Sequence, residues 1–245
     1  MPRARSFRTT SGLYGYLPQG VKWLLIANTA VFLVCYLGGR TLQGPVLAFL
    51  ALSAVQAVKN LMIWQVFTYM FVHFGLMHLL FNMLALWMFG MSVEQAWGMR
   101  RFLKFYFLCG VAAGVCVLIV NMLVGDWSTP TLGASGGVFG LLVAFGVLFP
   151  DTIILMFFLF PMKAKYAVMI FVAIEILVTF GPNTGVSTVA HLGGAAFSYV
   201  YLKGRIPLWK MPDLGGAYRQ WKMQRAKKKF QVYMRKHGGG GPRVN

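Results

Sequence analysis

Two short glycine-rich phrases place a serine and a histidine inside strongly apolar segments of the chain. They are Gly133-Ala134-Ser135-Gly136 and His191-Leu192-Gly193-Gly194. A neutral imidazole can take the proton of a serine hydroxyl during attack and return it to a leaving amine. A polar side chain in a lipid-embedded segment needs a partner or a task, because burying it unpaired is costly. These residue types therefore predict acyl-transfer chemistry in a site where water is scarce.

The serine motif also fits the pattern Gly-x-Ser-x-Gly of a nucleophile elbow, but that elbow requires a strand before it. Here a loop, 126–131, precedes the motif, so we expect Ser135 in the first turn of a membrane helix. Unpaired N–H groups and the positive helix end favour developing negative charge there. A packing seam without chemistry is the alternative. The glycines that form its overlapping small-x-x-x-small pairs are Gly133, Gly136, Gly137 and Gly140.

His191 begins a stripe of small residues on the last apolar segment, continued by Gly194 and Ser198. This stripe is the face best suited to meet the glycine-rich helix, so we expect the imidazole to reach Ser135. The sequence offers no carboxylate close to His191, and a Ser–His dyad is predicted in preference to a triad. The acids that are poorly placed in sequence to orient His191 are Glu175, Asp126, Asp151 and Asp213.

His78 and Asn82 are four residues apart and share one helix face. With the backbone N–H of Ser135 they can form an oxyanion hole, in which each donor contributes about 2.7–4 kcal/mol. A polar clasp between helices is the alternative. His73 is expected to point elsewhere and to anchor a loop. Glu175 is expected to be paired internally or neutral, without a catalytic role.

Composition predicts an integral membrane protein. The chain has 245 residues, of which 58% are hydrophobic and 11% charged, with a mean hydropathy of +0.65. Its net charge of +18 could suggest a nucleic-acid partner, but the basic residues cluster at the ends and in two loops. This distribution is typical of charge that sets orientation in a bilayer. We therefore expect membrane lipids, and no nucleic acid, as partners.

No metal or cofactor site is predicted. Cys35, Cys109 and Cys116 fall inside apolar runs without C-x-x-C spacing, which favours small core residues over a disulfide or metal framework. The chain also lacks a phosphate-binding loop.

Six apolar segments approach the roughly 17–25 residues that a spanning helix needs. An even number of spans puts both ends on one side, and the basic ends choose the cytoplasm. The apolar loop 39–72 should lie in the outer interface, and 152–160 along the inner membrane surface. The predicted spans are 21–38, 73–92, 102–124, 133–149, 164–181 and 187–203.

The motifs together resemble the rhomboid family of intramembrane serine proteases. The resemblance covers roughly residues 20–203 and is carried by His78-x-x-x-Asn82, the Ser135 motif and Ala190-His191-Leu192-Gly193-Gly194. It implies an all-α, six-span bundle at 21–203, flanked by basic cytoplasmic segments 1–20 and 204–245.

The resemblance further implies that Ser135 is the nucleophile, His191 the base and acid, and His78 and Asn82 oxyanion donors. Expected substrates are single-pass membrane proteins cut in or near their span, and the expected location is a bacterial plasma membrane. A catalytically inactive rhomboid-like binder and a small transporter are the alternatives. Trp64-Gln65 stands where the family usually has Trp-Arg, and Glu94 keeps a spacing that favours a structural role.

Overall fold

The structure is a computed structural model that describes residues 17–156, 159–179, 186–204 and 223–225. The predicted cytoplasmic segments 1–20 and 204–245 lie largely outside the described residues. So does most of 182–186, between the fifth and sixth predicted spans. Residues 223–225 form one helical turn.

The described part of the chain is mostly helical, with one short hairpin. Its α-helices and strands, in chain order, are α1 (Gln19–Leu37), α2 (Gly39–Leu50), α3 (Gln65–Thr68), α4 (Leu76–Trp97), α5 (Met99–Val124), α6 (Ser135–Leu148), β1 (Ile153–Met156), β2 (Phe160–Lys163), α7 (Ala164–Thr179) and α8 (Val186–Leu202). A short π-helix, Val55–Lys59, precedes α3, and a 3-10 helix, Tyr69–Phe71, follows it.

Three of the described helices, α1, α4 and α5, are long and apolar enough to cross a membrane. The helices α6, α7 and α8 have 14, 16 and 17 residues, at or below the lower end of the usual spanning range. The three long apolar helices therefore support the prediction of an integral membrane protein. The finer count of six spans stays a prediction.

Helix α6 is the centre of the fold and packs against α4, α5 and α8. Its only polar side chain is that of Ser135, at its first residue. A helix that is apolar on every side belongs in the interior of a bundle. Two fully buried tyrosines lie against its glycines, Tyr69 at Gly136 and Tyr106 at Gly137.

A buried carboxylate attaches α1 to α4. Glu94, near the end of α4, accepts hydrogen bonds from the backbone nitrogens of Gly20 at 2.8 Å and Val21 at 2.7 Å. Both N–H groups belong to the first turn of α1, where no intrahelical acceptor exists. The structural role expected for Glu94 is confirmed by these two bonds.

The segment between α1 and α4 is folded rather than a simple connector. Gln65 is fully buried, and its Oε1 accepts from the Ser53 nitrogen at 3.3 Å while its Nε2 donates to the Ala48 carbonyl at 2.9 Å. Trp64 Nε1 donates to the Phe49 carbonyl at 2.9 Å. The neutral amide of Gln65 thus bonds α2 through Ala48 and the segment after α2 through Ser53, and Trp64 adds a second bond to α2. The interfacial position of this segment stays a prediction.

The segment 152–160 contributes to a hairpin, which the prediction of an all-α protein missed. Strands β1 and β2 pair antiparallel, with Ile153 opposite Lys163. Beside the hairpin, Lys165 Nζ lies 3.0 Å and Lys163 Nζ 3.2 Å from Asp151 Oδ1. The hydrogen bonds from these lysines hold the pKa of the exposed Asp151 carboxyl below its usual value, and the bond from Lys165 has the larger effect.

Candidate active site

Ser135 is the first residue of α6 and follows a turn that other residues hold in place. Gly133 has a φ of +115°, in the region that favours glycine, and its nitrogen donates to the Tyr69 carbonyl at 2.9 Å. The Ala134 nitrogen donates to His73 Nε2 at 3.3 Å. These contacts fix the direction in which the chain enters α6, and therefore the position of the serine hydroxyl.

Two histidine rings line this turn. The rings of His73 and His78 meet edge to face, with centroids 5.1 Å apart. A Cβ added to Gly133 would lie 2.8 Å from His78 Nε2 and 3.9 Å from Ser135 Oγ. The expectation that His73 points elsewhere is wrong, because it contacts both the serine turn and His78. It does anchor a loop, and that loop carries Ser135.

Asn82 follows His78 by one turn of α4 and is buried. Its Nδ2 donates to the His78 carbonyl at 2.9 Å. A carboxamide nitrogen carries two hydrogens, so one such bond leaves the second hydrogen available to an incoming oxygen.

His191 lies flat against the face of α6 that carries the serine. Its ring stacks on Phe139 with centroids 4.3 Å apart and planes 9° from parallel. Phe139 is four residues after Ser135, so the two side chains share one face of α6. A Cβ added to Gly136 would also lie 3.4 Å from the Ala190 carbonyl oxygen. The backbone beside the histidine therefore touches the backbone beside the serine.

Glycines allow this close approach of α6 and α8. A Cβ added to Gly194 would overlap the Gly136 carbonyl oxygen, and one added to Gly140 would lie 3.5 Å from the Gly194 carbonyl oxygen. Ser198 Oγ donates to the Gly140 carbonyl at 2.8 Å. The two helices meet backbone to backbone along this seam.

A carboxylate completes the surroundings of the histidine. Glu175 Oε2 on α7 lies 3.0 Å from His191 Nδ1, and both side chains are 17% exposed. The expectation that Glu175 is poorly placed to orient His191 is wrong, although the expected internal partner is present. A lone acid in an apolar helix was the available signal, since such a group needs a partner.

The structure thus brings His78 and His191 to the segment that carries Ser135. The His78 ring lies against Gly133, and the His191 ring stacks on Phe139, one turn after Ser135. Sequence reasoning missed the contacts of His73, Phe139 and Glu175. The i, i+4 spacing from Ser135 to Phe139 could have indicated an aromatic platform beside the serine.

A family model, the Rhomboid domain, matches residues 60–206, which include every candidate site residue. Among curated relatives, the chain is similar to "Rhomboid protease GluP" of Bacillus subtilis. The two are 37% identical over 81 residues, 33% of this chain and 15% of that protein.

Two further relatives cover more of the chain. "Presenilin-associated rhomboid-like protein, mitochondrial" of Homo sapiens is 32% identical over 146 residues, 57% of this chain and 38% of that protein. "Rhomboid-like protease 3" of Toxoplasma gondii is 22% identical over 178 residues, 72% of this chain and 65% of that protein. The chain covers less than two thirds of the length of each. The Rhomboid domain match spans more than half of this chain, which therefore belongs to the rhomboid family.

Proposed function

We propose that this protein is an intramembrane serine endopeptidase that cuts transmembrane substrates in or near their span. The observation that carries the proposal is the stacking of His191 on Phe139, one turn after Ser135 on the same helix face. An imidazole held beside a serine at a helix N-terminus is the arrangement that nucleophilic acyl transfer requires. Membership of the family supports the same chemistry.

The proposed reaction proceeds through an acyl-enzyme. Ser135 Oγ attacks the scissile carbonyl carbon while His191 Nε2 accepts the hydroxyl proton. The tetrahedral intermediate then collapses, the peptide C–N bond breaks, and the imidazolium returns the proton to the leaving amine. A water molecule, deprotonated by His191, hydrolyses the ester and restores the serine.

The oxyanion of the intermediate is proposed to receive three hydrogen bonds. They come from the His78 imidazole, from the Asn82 amide hydrogen that does not bond the His78 carbonyl, and from the backbone N–H of Ser135. Donors already fixed in a dry site stabilise developing charge without reorganisation. The contact of the His78 ring with Gly133 supports this role, since it lies beside the serine turn.

We propose six spans, with α6, α7 and α8 crossing alongside the three longer helices. At about 1.5 Å per residue, α6 is only about 21 Å long, shorter than a hydrocarbon core of about 30 Å. Such a helix leaves Ser135 recessed from the outer surface, where water can still arrive for deacylation. The termini are cytoplasmic in this proposal, and the membrane is a bacterial plasma membrane.

Topology is tested with single cysteines in a background lacking the three native ones. Positions Ser6, Ser128 and Lys229 are labelled on intact cells with an impermeant maleimide. Only the Ser128 position should react, because basic ends remain inside. Labelling at Lys229 without labelling at Ser128 would invert the proposed orientation.

Proteolysis is tested by incorporating the purified chain and a model single-pass substrate into liposomes. The wild type should release two fragments, whereas Ser135→Ala and His191→Ala should release none while retaining the wild-type melting temperature. Wild-type turnover by either variant would overturn the proposed dyad. A folded wild type that binds the substrate without cutting it would favour the inactive rhomboid-like binder.

A further inference from the structure

The contact between Glu175 and His191 has no part in the dyad mechanism. The carboxylate oxygen and the imidazole Nδ1 are 3.0 Å apart, and only 17% of each side chain is exposed. Neither atom has an aligned hydrogen-bond partner among the described residues. Each is therefore the nearest group that can satisfy the other, and a small rotation of the carboxylate would align the bond.

Other acids of the described chain are committed elsewhere. Glu94 binds the first turn of α1, and Asp126 and Asp151 lie in exposed loops. An ionised acid on the apolar helix α7 is expensive unless it is paired. Glu175 thus needs a partner and lies beside His191 Nδ1. The proposed mechanism uses the other ring nitrogen, Nε2, to accept the serine proton.

The ring of His191 is already restrained by its neighbours. Phe139 fixes the plane of the imidazole by stacking, but stacking alone does not select which nitrogen carries the proton. A carboxylate at Nδ1 makes that selection, because it accepts a hydrogen bond from Nδ1–H and leaves Nε2 unprotonated. It also stabilises the imidazolium that forms when Nε2 takes the Ser135 proton.

We propose that Glu175 is a positioning residue that orients His191, so that this chain uses a serine–histidine–glutamate arrangement in place of a simple dyad. The inference rests on the proposed protease function. In this proposal the proton moves only between Ser135 Oγ, His191 Nε2 and the leaving amine, and Glu175 neither gains nor loses one. Adding Glu175 to the dyad selects the tautomer of His191 and places a negative charge beside its imidazolium. The bonds made and broken in the reaction stay the same.

The His191 ring contacts Phe139 of α6 and Glu175 of α7. Around it, Cys116 of α5 lies against Gly193, and His78 of α4 lies against Gly133, two residues before Ser135. Glu175 is the sole carboxylate in this set. Removing its charge should therefore make the imidazolium harder to form.

The test uses the full chain in liposomes with three substitutions at one position. Glu175→Gln keeps the size and removes the charge, Glu175→Ala removes both, and Glu175→Asp keeps the charge at shorter reach. Expected kcat/KM is lowered about 10²-fold or more by Gln and by Ala, and less by Asp. Melting temperatures of the Gln and Asp variants should remain near that of the wild type. Thr179→Val, one turn further along α7, is the matched control and should retain activity.

The pH profile separates positioning from packing. In Glu175→Gln the acid limb of kcat/KM should move to lower pH, because an imidazolium without its anion loses its proton more readily. An unchanged acid limb, or Glu175→Ala activity within about threefold of the wild type, overturns the inference. If Ser135 and His191 are required but Glu175 is not, this inference alone fails. If the wild type does not cleave at all, the proposed function fails with it.

Discussion

Two carboxylates in the described part of the chain lie on apolar helices, and their surroundings are opposite in kind. Glu94 is 5% exposed, and its two oxygens each accept a backbone N–H from α1. Glu175 instead faces an imidazole across a short but unaligned contact. The first carboxylate is satisfied by the fold itself. The second is left able to respond to a change of charge on its partner.

We propose that this difference separates a structural region from a reactive one. Buried polar groups that only stabilise a protein are normally completed by hydrogen bonds, since each unmade bond costs about 1–3 kcal/mol. Groups that take part in a reaction must keep some of their hydrogen-bond donors or acceptors unpaired until the substrate binds. The α1–α4 contact follows the first rule. In the proposed mechanism, the cluster of His78, Asn82, Ser135, Glu175 and His191 follows the second.

The largest expected effect comes from closing the glycine seam. A leucine at Gly194 would overlap the Gly136 carbonyl oxygen, so Gly194→Leu should separate α6 from α8 and abolish both folding and activity. Gly44→Leu is the control, since a Cβ added at Gly44 meets nothing within 4 Å. Melting temperature and substrate cleavage are measured on both. Unchanged behaviour of Gly194→Leu would show that the helices do not meet there.

Removal of an oxyanion donor should affect the reactive region alone. His78→Ala and Asn82→Ala are each expected to lower kcat by about 10²–10³-fold, because the donor acts mainly on the transition state. Steady-state kinetics in detergent are compared with thermal melts of the same samples. Parallel loss of folding and activity in both variants would favour the polar clasp between helices.

Substitution of the structural carboxylate should give the opposite pattern. Glu94→Gln leaves one of the two α1 N–H groups facing an amide donor, and we expect a loss of about 2 kcal/mol in stability. Cleavage per folded molecule should stay within about threefold of the wild type. If Glu94→Gln instead lowers activity at an unchanged melting temperature, the division between the two carboxylates is wrong.

The smallest effect is expected at the far end of the glycine seam. Ser198→Ala removes the 2.8 Å hydrogen bond to the Gly140 carbonyl, which should cost about 1 kcal/mol and leave the rate of cleavage unchanged. Chemical denaturation in mixed micelles measures the change in stability. A large loss of activity would place Ser198 in the reactive cluster.

The bounds of several helices, and pairs of residues that share one helix face, could be predicted from the sequence. The predicted span 102–124 agrees closely with α5 (Met99–Val124), and α6 begins two residues after the predicted start at 133. Apolar runs and glycines carry these signals directly. The i, i+4 pair of His78 and Asn82 likewise requires only the geometry of one helix.

Contacts between distant elements were less accessible from the sequence. The approach of Glu175 to His191 depends on how α7 lies against α8, which no local pattern encodes. The hairpin at Ile153–Met156 was missed because a four-residue apolar run does not distinguish a strand from an interfacial segment. His73 illustrates the same limit, since its partner Ala134 is 61 residues away.

The most direct measurement is reaction of the purified protein with a fluorophosphonate, followed by mapping of the modified residue. An activated serine should attack the probe, so we expect a single adduct on Ser135 in the wild type. The adduct should be absent from Ser135→Ala, from His191→Ala and from heat-denatured protein. No adduct on the folded wild type, or equal labelling of Ser135→Ala, would contradict a serine protease centred on Ser135.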